Sequence, residues 1–152
     1  MSSKRGKARR DPLKVGIVYD THTGTTAAAA EKMAEVVRAA GHECAVANLS
    51  NAATALTGSK AVVLGAWTEG WFIIRQHPSE PMMKFLDDAT LSGKPVAVYA
   101  TYKLAVGSTV RHLADKAESA GGKVTGMYKV KGPNVPDGFE SWVGSLESGA
   151  AI

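Results

Sequence analysis

The chain has 152 residues and a formal net charge of +4, a length that suits one domain with its own core and calls for neither disulfides nor a metal to fold. Five basic residues, Lys4, Arg5, Lys7, Arg9 and Arg10, fall in the first ten positions, leaving 13 basic residues (18 less 5) against 14 acidic ones in a nearly neutral body. One cysteine, Cys44, excludes an intramolecular disulfide and agrees with a reducing compartment. No stretch approaches the roughly 20 apolar residues of a membrane span, and the basic start runs into polar Asp11-Pro12 rather than a secretory apolar segment. These features predict a soluble, cytoplasmic protein with a disordered basic arm at 1–12, one domain at 13–147 and a frayed tail at 148–152. The arm interleaves no aromatic residue with its charges, so it lacks a stacking platform and a nucleic-acid partner is disfavoured.

In chain order, Val15–Tyr19 is a β-branched run and predicts a buried strand. Thr26–Ala40 follows as a helix, with Met33, Val36, Val37 and Ala40 at helical spacing and Gly41 as its stop. Glu43–Ala47 predicts a short second strand, with Cys44 as a small buried hydrophobe, and Asn51–Leu56 a short helix. Ala61–Gly65 is a third strand run. Ala66 to Glu80 is a long segment carrying Trp67, Trp71, Phe72 and two isoleucines. Pro81–Asp88 predicts a helix with proline at its first position, Pro95–Ala100 a fourth strand, and Ser108 caps a helix to Ala120. Lys123–Val130 is the fifth strand, and Phe139–Leu146 a final helix.

Five strand runs separated by helices imply parallel crossovers and helices on both faces of a doubly wound α/β sheet, a three-layer architecture. Ligands of such sheets sit beyond the carboxyl ends of the strands, where the strand order reverses. The segments after strands one, three and four are therefore where chemistry is expected.

The first of these, Asp20-Thr21-His22-Thr23-Gly24-Thr25-Thr26, joins a buried strand to a helix start. Four threonine hydroxyls, a glycine and unpaired backbone N–H groups at a helix N-terminus suit a phosphate, held by hydrogen bonds without lysine or arginine; an N-cap with extra threonines is the alternative. It is neither a Walker A loop nor the three-glycine dinucleotide fingerprint. The second segment, Gly65-Ala66-Trp67-Thr68-Glu69-Gly70-Trp71-Phe72, offers two tryptophans to flank a planar aromatic ligand, or to pack beneath the loop. The third, Ala100 to Gly107, places Thr101 and Tyr102 to face such a ring, or Tyr102 to pack on the sheet edge. The four histidines, 22, 42, 77 and 112, show no metal-ligand spacing and read as solvent-facing or loop residues.

Together and in this order the three segments resemble the flavodoxin family. Thr21 to Thr26 is similar at every fixed place to that family's phosphate loop, T/S-x-T-G-x-T. The resemblance implies a five-stranded parallel sheet in the order 2-1-3-4-5, FMN as the noncovalent cofactor, and electron transfer with redox partner proteins: a donor of the flavodoxin-reductase type and an acceptor enzyme. It implies a monomer or weak dimer. Thr21, His22, Thr23, Gly24, Thr25 and Thr26 would form the phosphate cradle. Ala66, Trp67, Thr68, Glu69, Gly70 and Trp71 would run along one side of the flavin, and Thr101, Tyr102 and Gly107 along the other. Glu69-Gly70 is the candidate for a peptide that reorients when the ring is reduced. The chain departs from the pattern in setting Trp67 before Thr68 rather than after it. It also lacks a glycine beside Tyr102, and its body is not acidic.

Three rivals share the fold. An FMN-dependent quinone or NAD(P)H oxidoreductase needs room for a second substrate. A response-regulator receiver would use Thr101 and Lys131 but needs an aspartate where Gly65-Ala66-Trp67 stands. A flavin-free interaction domain would keep only the loop's capping role.

Overall fold

A computed structural model describes residues 12–21, 24–71, 74–102 and 108–147. The basic arm before Pro12, His22, Thr23, Phe72, Ile73, Gly107 and the tail after Glu147 lie outside the described residues. Among these described residues six strands and five α-helices follow in the order β1 (Lys14–Tyr19), α1 (Thr25–Ala39), β2 (Glu43–Asn48), α2 (Ala52–Leu56), β3 (Ala61–Trp71), β4 (Ile74–Pro78), α3 (Glu80–Asp88), β5 (Pro95–Tyr102), α4 (Thr109–Ser119), β6 (Lys123–Lys131) and α5 (Phe139–Glu147). A short 3₁₀ turn, Leu49–Asn51, precedes α2.

Five strands form a parallel sheet in the order β2-β1-β3-β5-β6. This is the 2-1-3-4-5 arrangement expected for the five parallel strands. The period-two pleat of these strands divides their side chains between two cores. Val18, Val62, Leu64, Val96 and Val98 pack beneath Ala52 and Ala55 of α2, Met82 and Leu86 of α3, and Leu113 and Ala117 of α4. Val15, Ile17, Val63, Ala97 and Tyr99 pack beneath Ala29, Ala30, Met33, Ala34 and Val37 of α1 and Phe139, Trp142 and Leu146 of α5. Burial on both faces explains why these strands read as continuous apolar runs rather than alternating ones.

On α1 the buried stripe runs Thr26, Ala29, Ala30, Met33, Ala34, Val37. It is rotated from the expected face: Val36 is only partly buried and Ala40 is exposed. Three alanines on the inner face let the helix axis sit close to the sheet. Helix α5 is anchored by aromatics. Phe139 stacks on Trp142 at 5.7 Å and meets Tyr128 edge-on at 6.2 Å. The Trp142 indole N–H donates to Thr125 Oγ1 at 2.8 Å.

The one addition to the expected architecture is a hairpin. Strand β3 continues past its ladder with β5, and its distal part pairs antiparallel with β4, Thr68 opposite Pro78 and Glu69 opposite His77. The connecting pair, Phe-Ile, carries none of the Gly, Asn or Asp chemistry that marks a two-residue turn, so the sequence gives no hairpin signal there. Proline of α3 stands at the second helical position rather than the first, after Glu80. His42 is not solvent-facing: it is 7% exposed, and its Nδ1 accepts the Leu13 backbone N–H at 3.0 Å, tying the start of β1 to the α1–β2 turn. Asp87, exposed on α3, pairs with Lys116 of α4 at the surface. Among the described residues no helix is long and apolar enough to cross a membrane.

Cys44 is partly buried against the α1/α5 core, and burial pushes its thiol up from 9.0 to about 11. The folded state therefore favours the neutral thiol. Its contribution to stability is fully present below the unfolded pKa of 9.0 and is lost as pH rises through about 11. A thiol-disulfide reagent should label native Cys44 at pH 8 at least about tenfold more slowly than a free peptide thiol. Equal rates for the native and the denatured chain would contradict the buried placement.

Candidate functional site

From β1 the chain crosses to β2 on one side and then returns to β3 on the other. The order thus reverses between β1 and β3, and a crevice opens above the carboxyl ends of these strands. The two ends are joined by the Asp20 backbone N–H, which donates to the Gly65 carbonyl at 2.9 Å.

Thr21 leaves β1 here, and its Oγ1 accepts the Gly24 backbone N–H at 3.0 Å. Gly24 caps α1 at φ 94° and ψ −9° without a side-chain cap. Nothing lies within 4 Å of where a Cβ would stand, so the left-handed backbone, not crowding, calls for glycine. No acidic residue occupies the first turn of α1. The positive end of the helix dipole therefore meets no carboxylate of its own helix there, as an anion site requires. Gly24 is exposed and Thr21 and Thr25 are partly buried.

Thr26 is placed differently. It is 1% exposed, and its hydroxyl shares a 2.6 Å hydrogen bond with the hydroxyl of Thr101, itself 3% exposed, at the end of β5. Tyr99, fully buried, donates its phenol O–H to the Thr26 carbonyl at 2.9 Å. Burial pushes this phenol well above its usual pKa, with a smaller contribution from Tyr19, so it stays a neutral donor. The Tyr99 ring occupies the space that a side chain on β3 would need: a Cβ on Gly65, its partner in register, would stand 2.1 Å from Tyr99 Cζ. Glycine at 65 thus lets the ring cross β3 and reach the first turn of α1. Tyr99 reads in the sequence only as part of an apolar strand. Its signal was a tyrosine among valines and alanines, because a buried phenol must find a partner.

On the ring side, Trp67 is partly buried and its indole N–H donates to Asp20 Oδ2 at 3.2 Å. This bond ties the second segment to the residue before the cradle, a pairing that sequence spacing does not reveal. Ala66 is buried in the sheet. Glu69, Gly70 and Trp71 are placed by their backbone on the outgoing arm of the hairpin, and the ladder shifts register between Glu69 and Trp71. Gly70 therefore stands at a bulge-like irregularity. Tyr102 is partly buried against the α3/α4 core.

Three hydroxyls at the base of this hairpin are buried with no partner among the described residues: Thr68 Oγ1, Ser79 Oγ and Thr109 Oγ1. Thr68 faces Pro78 in register, Ser79 follows Pro78, and Thr109 opens α4, which packs on β4. An unpaired buried hydroxyl costs about 1–3 kcal/mol unless a polar ligand or water meets it. The donor set as a whole fits an anionic tail at the α1 N-terminus and a polar-edged planar ring beside Trp67. No group of three or more His, Cys, Asp or Glu gathers among the described residues. A groove of about 580 Å³ lies elsewhere, on the outer side of α1 and α5, lined by Lys32, Glu35, Val36 and Val143.

Tyr99→Phe should keep the fold and lower stability by about 1–2 kcal/mol in urea denaturation, the loss of one buried hydrogen bond. Gly65→Ala should cost more, because a Cβ cannot coexist with the Tyr99 ring. A Gly65→Ala protein as stable as the parent would contradict the crossing of Tyr99 over β3.

Comparison with known proteins bears on this geometry. Among solved structures, a flavodoxin from the domain Archaea superposes with a TM-score of 0.69 at 20% identity, covering 91% of this chain and 96% of that one. The two-electron reduced flavodoxin of Megasphaera elsdenii superposes at 0.67 and 21% identity, covering 89% and 98%. A mutant flavodoxin of Fusobacterium nucleatum bound to flavin mononucleotide superposes at 0.60 and 16% identity, covering 90% and 94%. At these identities the likeness concerns the fold. No curated protein matches the sequence. The family model for flavodoxin matches residues 17–143, most of the chain, and with the fold and crevice above it the chain belongs to the flavodoxin family.

Proposed function

We propose that this protein binds FMN noncovalently and carries electrons between redox proteins. The observation that supports this most directly is the open cap of α1. There Gly24 is held in the left-handed region by its own backbone and by Thr21, no carboxylate shares the first turn, and the Trp67 indole stands tethered to Asp20 nearby.

In this reading the first-turn N–H groups of α1 and the hydroxyls of Thr21, Thr23 and Thr25 would hold the phosphate of FMN. The Thr26 hydroxyl, already engaged with Thr101, acts by holding the helix start rather than by reaching the phosphate. His22 and Thr23, outside the described residues, would belong to the same cradle. Ala66, Trp67, Thr68, Glu69, Gly70 and Trp71 would serve one side of the ring, and Thr101, Tyr102 and Gly107 the other. FMN supplies the electron-accepting ring. The chain's own part is to bind it, to keep water from its buried edge and to set the charge around it. Asp20, with Trp67 N–H against it, places a carboxylate at the entrance of the cradle. A negative charge there opposes the build-up of further negative charge on a bound ring.

The reading of a carrier, rather than a quinone-reducing enzyme, is checked by three measurements on one sample. The purified protein should be yellow and release FMN on denaturation. Dithionite should reduce it in two separated one-electron stages. Steady-state NADPH oxidation in the presence of a quinone should stay near the rate of free FMN. Colourless protein that takes up no FMN would refute the cofactor; rapid NADPH–quinone turnover would refute the carrier.

A further inference from the structure

Strand β6 forms one border of the parallel sheet. Its alternate residues Tyr128 and Val130 pack on the α1/α5 side, so the pleat sends Met127, Lys129 and Lys131 to the opposite face, the one shared with α4. All three are exposed. Met127, 41% exposed, is the single large hydrophobic residue so open among the described residues. Register places Lys131 beside Tyr102 and Lys129 beside Ala100 of β5, so the two lysines stand at the carboxyl end of the sheet, next to the ring side of the site. Helix α4 starts from that same end, and exposed Arg111 and His112 lie in its first turn.

No ion pair to Lys129, Lys131 or Arg111 exists among the described residues; the one salt bridge there joins Lys116 and Asp87. The carboxylates nearest in sequence to Lys129 and Lys131 lie elsewhere. Asp137 and Glu140 line a pocket with Val36 on the α1 side of the sheet. Asp115, four residues after Arg111 and so its neighbour on α4, and Glu118 are exposed one and two turns further along the helix, away from the carboxyl end where the two lysines stand. The face therefore presents two lysines with no carboxylate partner around an exposed methionine, with Arg111 at its α4 side, beside the site. A polar rim enclosing an apolar, adaptable contact is the usual make-up of a transient interface. Lysines on a border strand also resist pairing with a second copy of that strand, which argues against self-association through β6.

We propose that the face formed by Met127, Lys129 and Lys131 of β6 with Arg111 of α4 docks an acidic redox-partner protein, bringing its carboxylates against these cations within reach of the flavin. The proposal rests on the flavin reading above and names the partner's chemistry for the same site. Charge complementarity of this kind acts mainly on the association rate and on the choice of partner.

The test uses the full-length reduced holoprotein with two haem acceptors of opposite surface charge, acidic cytochrome b5 and basic cytochrome c. Ionic strength is raised from about 0.01 M to about 1 M, which shortens the Debye length from about 30 Å to about 3 Å. The rate to cytochrome b5 should fall with salt and that to cytochrome c should rise. The variant Lys129→Glu/Lys131→Glu/Arg111→Glu should lose roughly tenfold of the low-salt rate to cytochrome b5 and reverse its salt dependence, with flavin content unchanged by visible absorbance. A low-salt rate unaffected by the variant would overturn the proposal. Carbodiimide cross-linking of the flavin-free chain to cytochrome b5 separates this result from a failure of flavin binding. Cross-links at Lys129 and Lys131 uphold the docking face, whereas cross-links at Lys4 or Lys7 assign the attraction to the N-terminal arm and overturn it.

Discussion

The site depends on one buried contact: the phenol of Tyr99 against the Thr26 carbonyl, beside the paired hydroxyls of Thr26 and Thr101. These bonds fasten the first turn of α1 to the end of β5, across an intervening strand. A helix N-terminus can serve an anion only if its N–H groups are held in place before the ligand arrives. Here the holding is done from beneath, by a neutral donor that burial keeps protonated, and Gly65 is what lets that donor through. The hydroxyl of Thr26 looks in the sequence like one more ligand of the loop. In the structure it belongs to the mount.

The second link runs from Asp20 to Trp67. It joins the residue before the α1 cap to the segment expected to flank a ring, so the two sides of the crevice are mechanically connected. The same two carboxyl termini are joined by the Asp20–Gly65 backbone bond. Positioning through paired strands is more rigid than positioning through free loops. It also bears on the expected Glu69-Gly70 peptide, which stands on the arm of a hairpin opposite His77 rather than in an open turn.

Much of this was legible in the residues. The parallel strands follow from apolar runs that have to be buried on two faces, and the cradle follows from Thr21-His22-Thr23-Gly24-Thr25-Thr26 standing between a strand and a helix. What escaped was long-range. The Tyr99–Thr26 bond spans 73 positions and the Trp67–Asp20 bond 47, and no local spacing encodes either. The hairpin was hidden because its turn lacks the usual residues, and the buried place of His42 because its partner, the Leu13 N–H, lies 29 positions away. The aspartate that a receiver would need is absent from Gly65-Ala66-Trp67, and the Thr101 hydroxyl, a receiver's other mark, is committed to Thr26.

The account stands on the claim that the α1 cap grips a phosphate. The direct measurement compares FMN with riboflavin, which lacks only that phosphate, by fluorescence quenching on the flavin-free protein. Charge-assisted hydrogen bonds contribute about 1.5–3 kcal/mol each, so two of them predict FMN binding at least about 100-fold tighter than riboflavin. Addition of inorganic phosphate should narrow that gap. Equal affinities for the two flavins, or FMN retaining its full free fluorescence, would contradict it.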